Sequence, residues 1–81
     1  MAVVVLPAPL REVAGGQERV RIEARTIREL FRRLRETFPA MAEILDSGPA
    51  VSIDGEIIAD PFLEELEPDS EVHFLPQIGG G

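Results

Sequence analysis

The 81-residue sequence contains no cysteine, no tryptophan, no tyrosine and no lysine. Without a thiol there is no disulfide framework, no cysteine nucleophile and no zinc ribbon or knuckle built on sulfur. Long apolar runs are missing too. The stretch from Met1 to Leu10 is interrupted by Pro7 and Pro9 and falls far short of the ~20 residues that cross a bilayer. No basic segment leads into an apolar run and a small-residue cleavage site, so no secretory signal is expected. The expectations are cytoplasmic residence and no membrane partner. Arginine is absent from the whole second half. All eight lysine-or-arginine positions are arginines at or before Arg35, where four glutamates leave a local charge of +4; residues 36–81 hold eleven acids and no arginine or lysine, giving −7 overall with His73 neutral. Such an excess repels phosphate backbones, so nucleic acid is a poor partner and a basic protein a better one. The acids also suit plain solubility, and charge alone leaves both readings open.

A chain this short makes one domain. Ala2 to Leu6 is a β-branched run bounded by Pro7, which reads as a central strand covered on both faces. After Gly15-Gly16, a turn signal, Arg19 to Ala24 alternates charged and apolar residues, an edge-like strand with Val20, Ile22 and Ala24 inward. The two form a hairpin with a long connection. Thr26-Ile27-Arg28-Glu29 fits a capping box: the Thr hydroxyl accepts from the Glu29 N–H, and the Glu29 carboxylate reaches back to the Thr26 N–H. A helix starts there, carrying the apolar stripe Ile27, Leu30, Phe31, Leu34 and Phe38 and ending before Pro39. Met41, Ile44 and Leu45 predict a further turn or two. Asp54-Gly55, between Val51-Ser52-Ile53 and Glu56-Ile57-Ile58, predicts a tight type I′ hairpin. An acidic connector, Pro61 to Ser70, leads to a last strand, Glu71 to Leu75, closed by Pro76.

The order is hairpin, helix, hairpin, strand. With one helix on a single sheet, the apolar first and last strands become the middle pair, parallel through the helical crossover. That is an α+β fold of β-grasp type, with a mixed sheet of four to five strands. The expected division is a body over residues 1–76 and a flexible glycine-rich tail over 77–81. Alternation puts Val72 and Phe74 under the helix, with His73 and Leu75 on the open face.

Side-chain catalysis has almost nothing to work with. His73 is the one plausible general base, and Ser47, Ser52 and Ser70 lie in turn-rich or strand contexts that pair none of them with a base. His73 reads as a surface strand residue or an interface contact. Glu64, Glu65, Glu67, Asp69 and Glu71 lack calcium-loop spacing, and a metal site on His73 and Glu71 would have too few ligands; no metal is expected. Arg28, Arg32, Arg33 and Arg35 form a basic stripe without aromatic interleaving for stacking bases. Gly79-Gly80-Gly81 remains. A glycine terminus lies extended in a narrow channel and offers an unhindered carboxylate, and an extended segment from Pro76 to Gly81 reaches up to ~17 Å. A linker-like end is the alternative.

The β-grasp order and the ending Glu71-Val72-His73-Phe74-Leu75-Pro76-Gln77-Ile78-Gly79-Gly80-Gly81 resemble the ubiquitin-like sulfur carriers of the ThiS/MoaD family. Leu6-Pro7, Leu10-Arg11, Gly15-Gly16 and Asp54-Gly55-Glu56 look like further matches. Gln77 departs from the family's second proline, Gly79 from a usual Ser or Ala, and Pro68-Asp69-Ser70-Glu71 from the usual G-D-E loop. The resemblance implies a carrier, not an enzyme. It implies that a ubiquitin-activating-type adenylyltransferase spends Mg-ATP to adenylate the carboxylate of Gly81, which then becomes a thiocarboxylate, while the carrier binds no cofactor itself. Gly79 and Gly80 would thread the tail. Val4, Leu6, His73 and Leu75 on the open face, with Pro76 and Ile78, would meet the partners: the activator and a sulfur-accepting synthase subunit. Molybdopterin is the favoured acceptor pathway, with thiamin, cysteine or tRNA thiolation as further options. A protein modifier joined through Gly81 to target lysines is the alternative. Lacking lysine and cysteine, such a carrier would have no side-chain amine or thiol and so would form no lysine-linked chains with copies of itself.

Overall fold

A computed structural model describes residues 1–75; the expected division into a body and a tail over 77–81 lies outside the described residues. Five strands form one mixed sheet in the order β2-β1-β5-β3-β4. They are β1 (Ala2–Val5), β2 (Arg19–Ile22), β3 (Val51–Ile53), β4 (Glu56–Ile58) and β5 (Glu71–Phe74). The central pair β1 and β5 is parallel, with Val3 opposite Glu71 and Val5 opposite His73, and every other pairing is antiparallel. This is the β-grasp arrangement that the element order implies.

The connection after β1 is more ordered than its prolines and glycines suggest. Pro7 caps a short helix, α1 (Ala8–Arg11), with Pro9 inside its first turn, where a missing N–H costs nothing. A 3-10 turn over Glu12–Ala14 follows and ends at Gly15 with φ +68°. Burial of Leu10 and Ala14 holds this segment to the body. Arg11 adds a tie, its Nε donating to the Leu6 carbonyl at 2.9 Å.

The main helix, α2, spans Ile27–Thr37. The Thr26 hydroxyl accepts from the Glu29 N–H at 3.1 Å. The reciprocal half of the expected capping box is displaced by one residue: Glu29 Oε1 accepts from the N–H of Arg25 rather than of Thr26. Phe38 leaves helical geometry at φ −128°, ψ 82°, since Pro39 disfavours the helical region for the residue before it. A 3-10 turn (Pro39–Met41) and α3 (Ala42–Asp46) complete the helical layer, and Arg35 pairs with Asp46 across it.

The core lies between this layer and one sheet face. Ile27, Leu30, Phe31 and Leu34 meet Ala2, Val4, Val20, Ile22, Val51, Ile53, Val72 and Phe74, all buried. The Phe31 and Phe74 rings stack with centroids 5.7 Å apart. Truncating one such Leu or Phe to Ala removes roughly 2 to 5 kcal/mol, a large share of what a domain this small holds in reserve. The hairpin β3–β4 turns at Asp54 (φ +50°) and Gly55 (φ +87°), the paired positive φ of a type I′ turn. Buried Ser70 holds the end of the acidic connector. Its hydroxyl accepts from the Glu67 N–H at 2.8 Å, and its carbonyl accepts from the N–H of Val3.

Candidate functional site

β5 carries the chain toward its glycines through the middle of the sheet. Hydrogen bonds hold it on both sides: on the β3 flank the Asp54 N–H donates to the Glu71 carbonyl at 2.9 Å, and the Leu75 N–H donates to the Ala50 carbonyl at 3.1 Å. The Glu71 N–H in turn donates to Asp54 Oδ1 at 2.9 Å. The strand therefore reaches Leu75 as part of a fixed frame.

No helix packs on the outer face of the sheet. In register, one row across it runs Arg19, Val5, His73, Ser52, Ile57, and a second runs Arg21, Val3, Glu71. His73 Nε2 lies 2.6 Å from Glu71 Oε1, two residues back on the same face of the strand. His73 and Leu75 occupy this face half-buried, as their alternation with Val72 and Phe74 implies. Val4 and Leu6 do not. Both are fully buried on the helix side, and Val3 and Val5 take the outer positions. The reason is parity: Val4 lies opposite Val72 and Val20, and all three point into the core. The outer side of β1 is half-open rather than covered, since the helical layer lies on one face alone.

The outer face brings polar and apolar groups together in the open. Ser52 stands directly across from His73, a juxtaposition that sequence distance conceals. Yet no hydrogen bond joins their side chains among the described residues, and the open sheet offers no enclosure to exclude water. Among the described residues no group of His, Asp and Glu converges as a metal site, and no helix is long and apolar enough to cross a membrane. Beside the end of β5 lies a groove of about 430 Å³ lined by Pro7, Leu10, Ile44, Pro49, Phe74 and Leu75. The proline-rich connection and α3 supply most of it; Pro7, Pro9 and Leu10 in the sequence are its only advance sign. Pro76, Ile78, Gly79, Gly80 and Gly81 lie outside the described residues.

Comparison with known proteins converges on one group. The model of the family described as the ThiS family matches residues 4–81. Among solved structures, the chain is similar to one from a crystal structure of the Amycolatopsis orientalis BexX/CysO complex, with TM-score 0.85 and 19% identity, covering 100% of both chains. It is similar to the small archaeal modifier protein 1 (SAMP1) of Methanosarcina acetivorans, with TM-score 0.83 and 22% identity over 99% of this chain and 95% of that one. SAMP1 of Haloferax volcanii is 26% identical, with TM-score 0.75, over 99% of this chain and 98% of that one. No curated protein sequence matches the chain significantly.

Proposed function

Because the chain belongs to the ThiS family, a group of small ubiquitin-like sulfur carriers and modifiers rather than catalysts, we propose that it carries sulfur on the carboxyl group of Gly81. An adenylyltransferase of the ubiquitin-activating type is the partner that starts the cycle. The Gly81 carboxylate attacks the α-phosphorus of Mg-ATP, pyrophosphate leaves, and an acyl adenylate forms. Sulfide, supplied as hydrosulfide, then attacks the acyl carbon, AMP departs with the bonding pair and the sulfur loses its proton, leaving a thiocarboxylate. A carboxylate is a poor electrophile until its oxygen becomes a good leaving group; the activator supplies that, and the carrier supplies position.

The observation that carries this reading is the anchoring of β5, held between β1 and β3 as far as Leu75, immediately before the segment Pro76-Gln77-Ile78-Gly79-Gly80-Gly81. Glycines without Cβ pass through a narrow channel that other residues would block. In this reading Gly79 and Gly80 thread that channel, and residues 77–81 act as a flexible tail on a rigid body. Val3, Val5, His73 and Leu75, with Pro76 and Ile78, meet the activator and then the sulfur-accepting synthase subunit. Molybdopterin synthesis is the proposed destination, resting on the tail sequence. The decisive experiment incubates the protein with its activator, Mg-ATP and a sulfur donor and measures intact mass. A gain equal to exchange of one oxygen for sulfur, confined to the last residue, supports the reading; an unchanged mass with an active partner overturns it.

A second reading has its own support in the 26% identity to Haloferax volcanii SAMP1: conjugation of Gly81 to lysines of other proteins. Both uses share the adenylate. Protein adducts that vanish when Gly81 is deleted mark the modifier, and a small product that gains sulfur marks the carrier.

A further inference from the structure

The two edges of the sheet are built differently. The hydrogen bonds of Asp54 and Leu75 to β5 fix the even-numbered residues of β3 as those that bond to β5. Ser52, opposite His73, therefore turns its backbone groups toward β5 and away from β4. Its partner on β4, Ile57, forms the non-hydrogen-bonded pair, so the N–H and C=O of Ile57 point outward from the sheet. The same argument applies at β2. The Leu6 N–H donates to the Glu18 carbonyl at 2.8 Å, which leaves Arg19 and Arg21 with their backbone groups outward.

On β2 the outward positions are thus guarded by two exposed arginines, the usual protection of an edge against stray strands. On β4 the outward position is Ile57, whose side chain is among the most exposed large apolar groups described, at 70%. Its near neighbours in sequence carry one sign of charge: Asp54, Glu56 and Asp60 flank it, all exposed, and no arginine or lysine occurs anywhere in residues 36–81. Pairing of β4 with β4 of a second copy would bring two sets of these acids together on a chain already at −7, which repulsion opposes. A strand with arginine or lysine on either side of an apolar residue would meet them with opposite charge.

We infer that the β4 edge is a docking site for an extended, basic segment of a partner protein, which adds a sixth strand through the backbone of Ile57 and packs an apolar side chain on it. Main-chain bonds at an edge give affinity and the flanking side chains give selectivity. This inference does not depend on the sulfur chemistry proposed for Gly81.

The test uses the isotopically labelled full chain and two capped synthetic peptides of equal length, one alternating arginine with valine and one alternating glutamate with valine. Titration with the basic peptide is expected to shift the Ile57 amide resonance, to slow its hydrogen exchange, and to weaken as salt is raised. Ile57→Pro deletes the outward N–H at a position where no ladder bond is lost, and is expected to weaken binding by about five- to tenfold, the loss of one hydrogen bond. Ile57→Thr keeps the donor and is expected to bind within about threefold of the parent. Unchanged far-ultraviolet dichroism of both variants separates this effect from unfolding. The inference is overturned by equal response to the two peptides, by no response at millimolar basic peptide, by resonance shifts centred away from β4, or by self-association of the chain through Ile57.

Discussion

The N–H of Leu75 donates to the carbonyl of Ala50 across 3.1 Å, and this bond ties the end of the central strand to the segment that leads into β3. It makes Leu75 part of the frame, and the proposed sulfur chemistry is assigned to the residues after it. Deleting Gly80 and Gly81 is expected to abolish thiocarboxylate formation while leaving the urea midpoint within error of the parent. Intact-mass and denaturation measurements on the same preparation check both halves.

Leu6 and Val5 are neighbours in sequence with opposite duties. Leu6 is fully buried and Val5 lies half-buried on the open face. Leu6→Ala is expected to lower stability by roughly 2 to 5 kcal/mol. Val5→Arg is expected to change stability by no more than about 1 kcal/mol and to weaken the complex with the activating partner. Urea denaturation and calorimetric titration separate the two effects.

The cap of α2 rests on Thr26, since its hydroxyl is what accepts the Glu29 N–H. Thr26→Ala is expected to cost about 1 kcal/mol and Thr26→Ser very little. The reciprocal bond runs to Arg25 at 3.3 Å in an exposed setting, so Glu29→Gln is expected to have a smaller effect than Thr26→Ala. Thermal melts of the three variants rank them.

Gly55 sits at φ +87°, with open space where a Cβ would stand. Gly55→Ala therefore creates no clash and isolates backbone strain, expected to lower stability by about 1 to 2 kcal/mol. Because the turn adjoins the Asp54 bonds to Glu71, amide exchange is expected to accelerate at the start of β5 as well as in the hairpin.

Much of the fold was legible because local chemistry marked it. Arg19-Val20-Arg21-Ile22 declares its buried face by alternation, Asp54-Gly55 declares its turn, and Thr26 declares the helix start. Ala2 to Leu6 carries no such mark. In an all-apolar run either parity reads equally well, and only the pairing of Val4 with Val72 and Val20 decides which residues face the helix. That is why Val3 and Val5, not Val4 and Leu6, belong to the open face. The helical connection after Pro7 was concealed for a related reason. Its prolines and glycines read as loop, yet they sit where a short helix tolerates them, and the burial of Leu10 and Ala14 that stabilises it is a tertiary effect. The facing of Ser52 and His73 required strand register, which no window of sequence contains.

The parallel pairing of β1 with β5 has a consequence during synthesis. A nascent chain that stops before Glu71 possesses both hairpins but not the strand that joins them, so its apolar helix stripe has half a sheet to rest on. The two hairpins are thus joined into one sheet only by the last strand of the chain, β5.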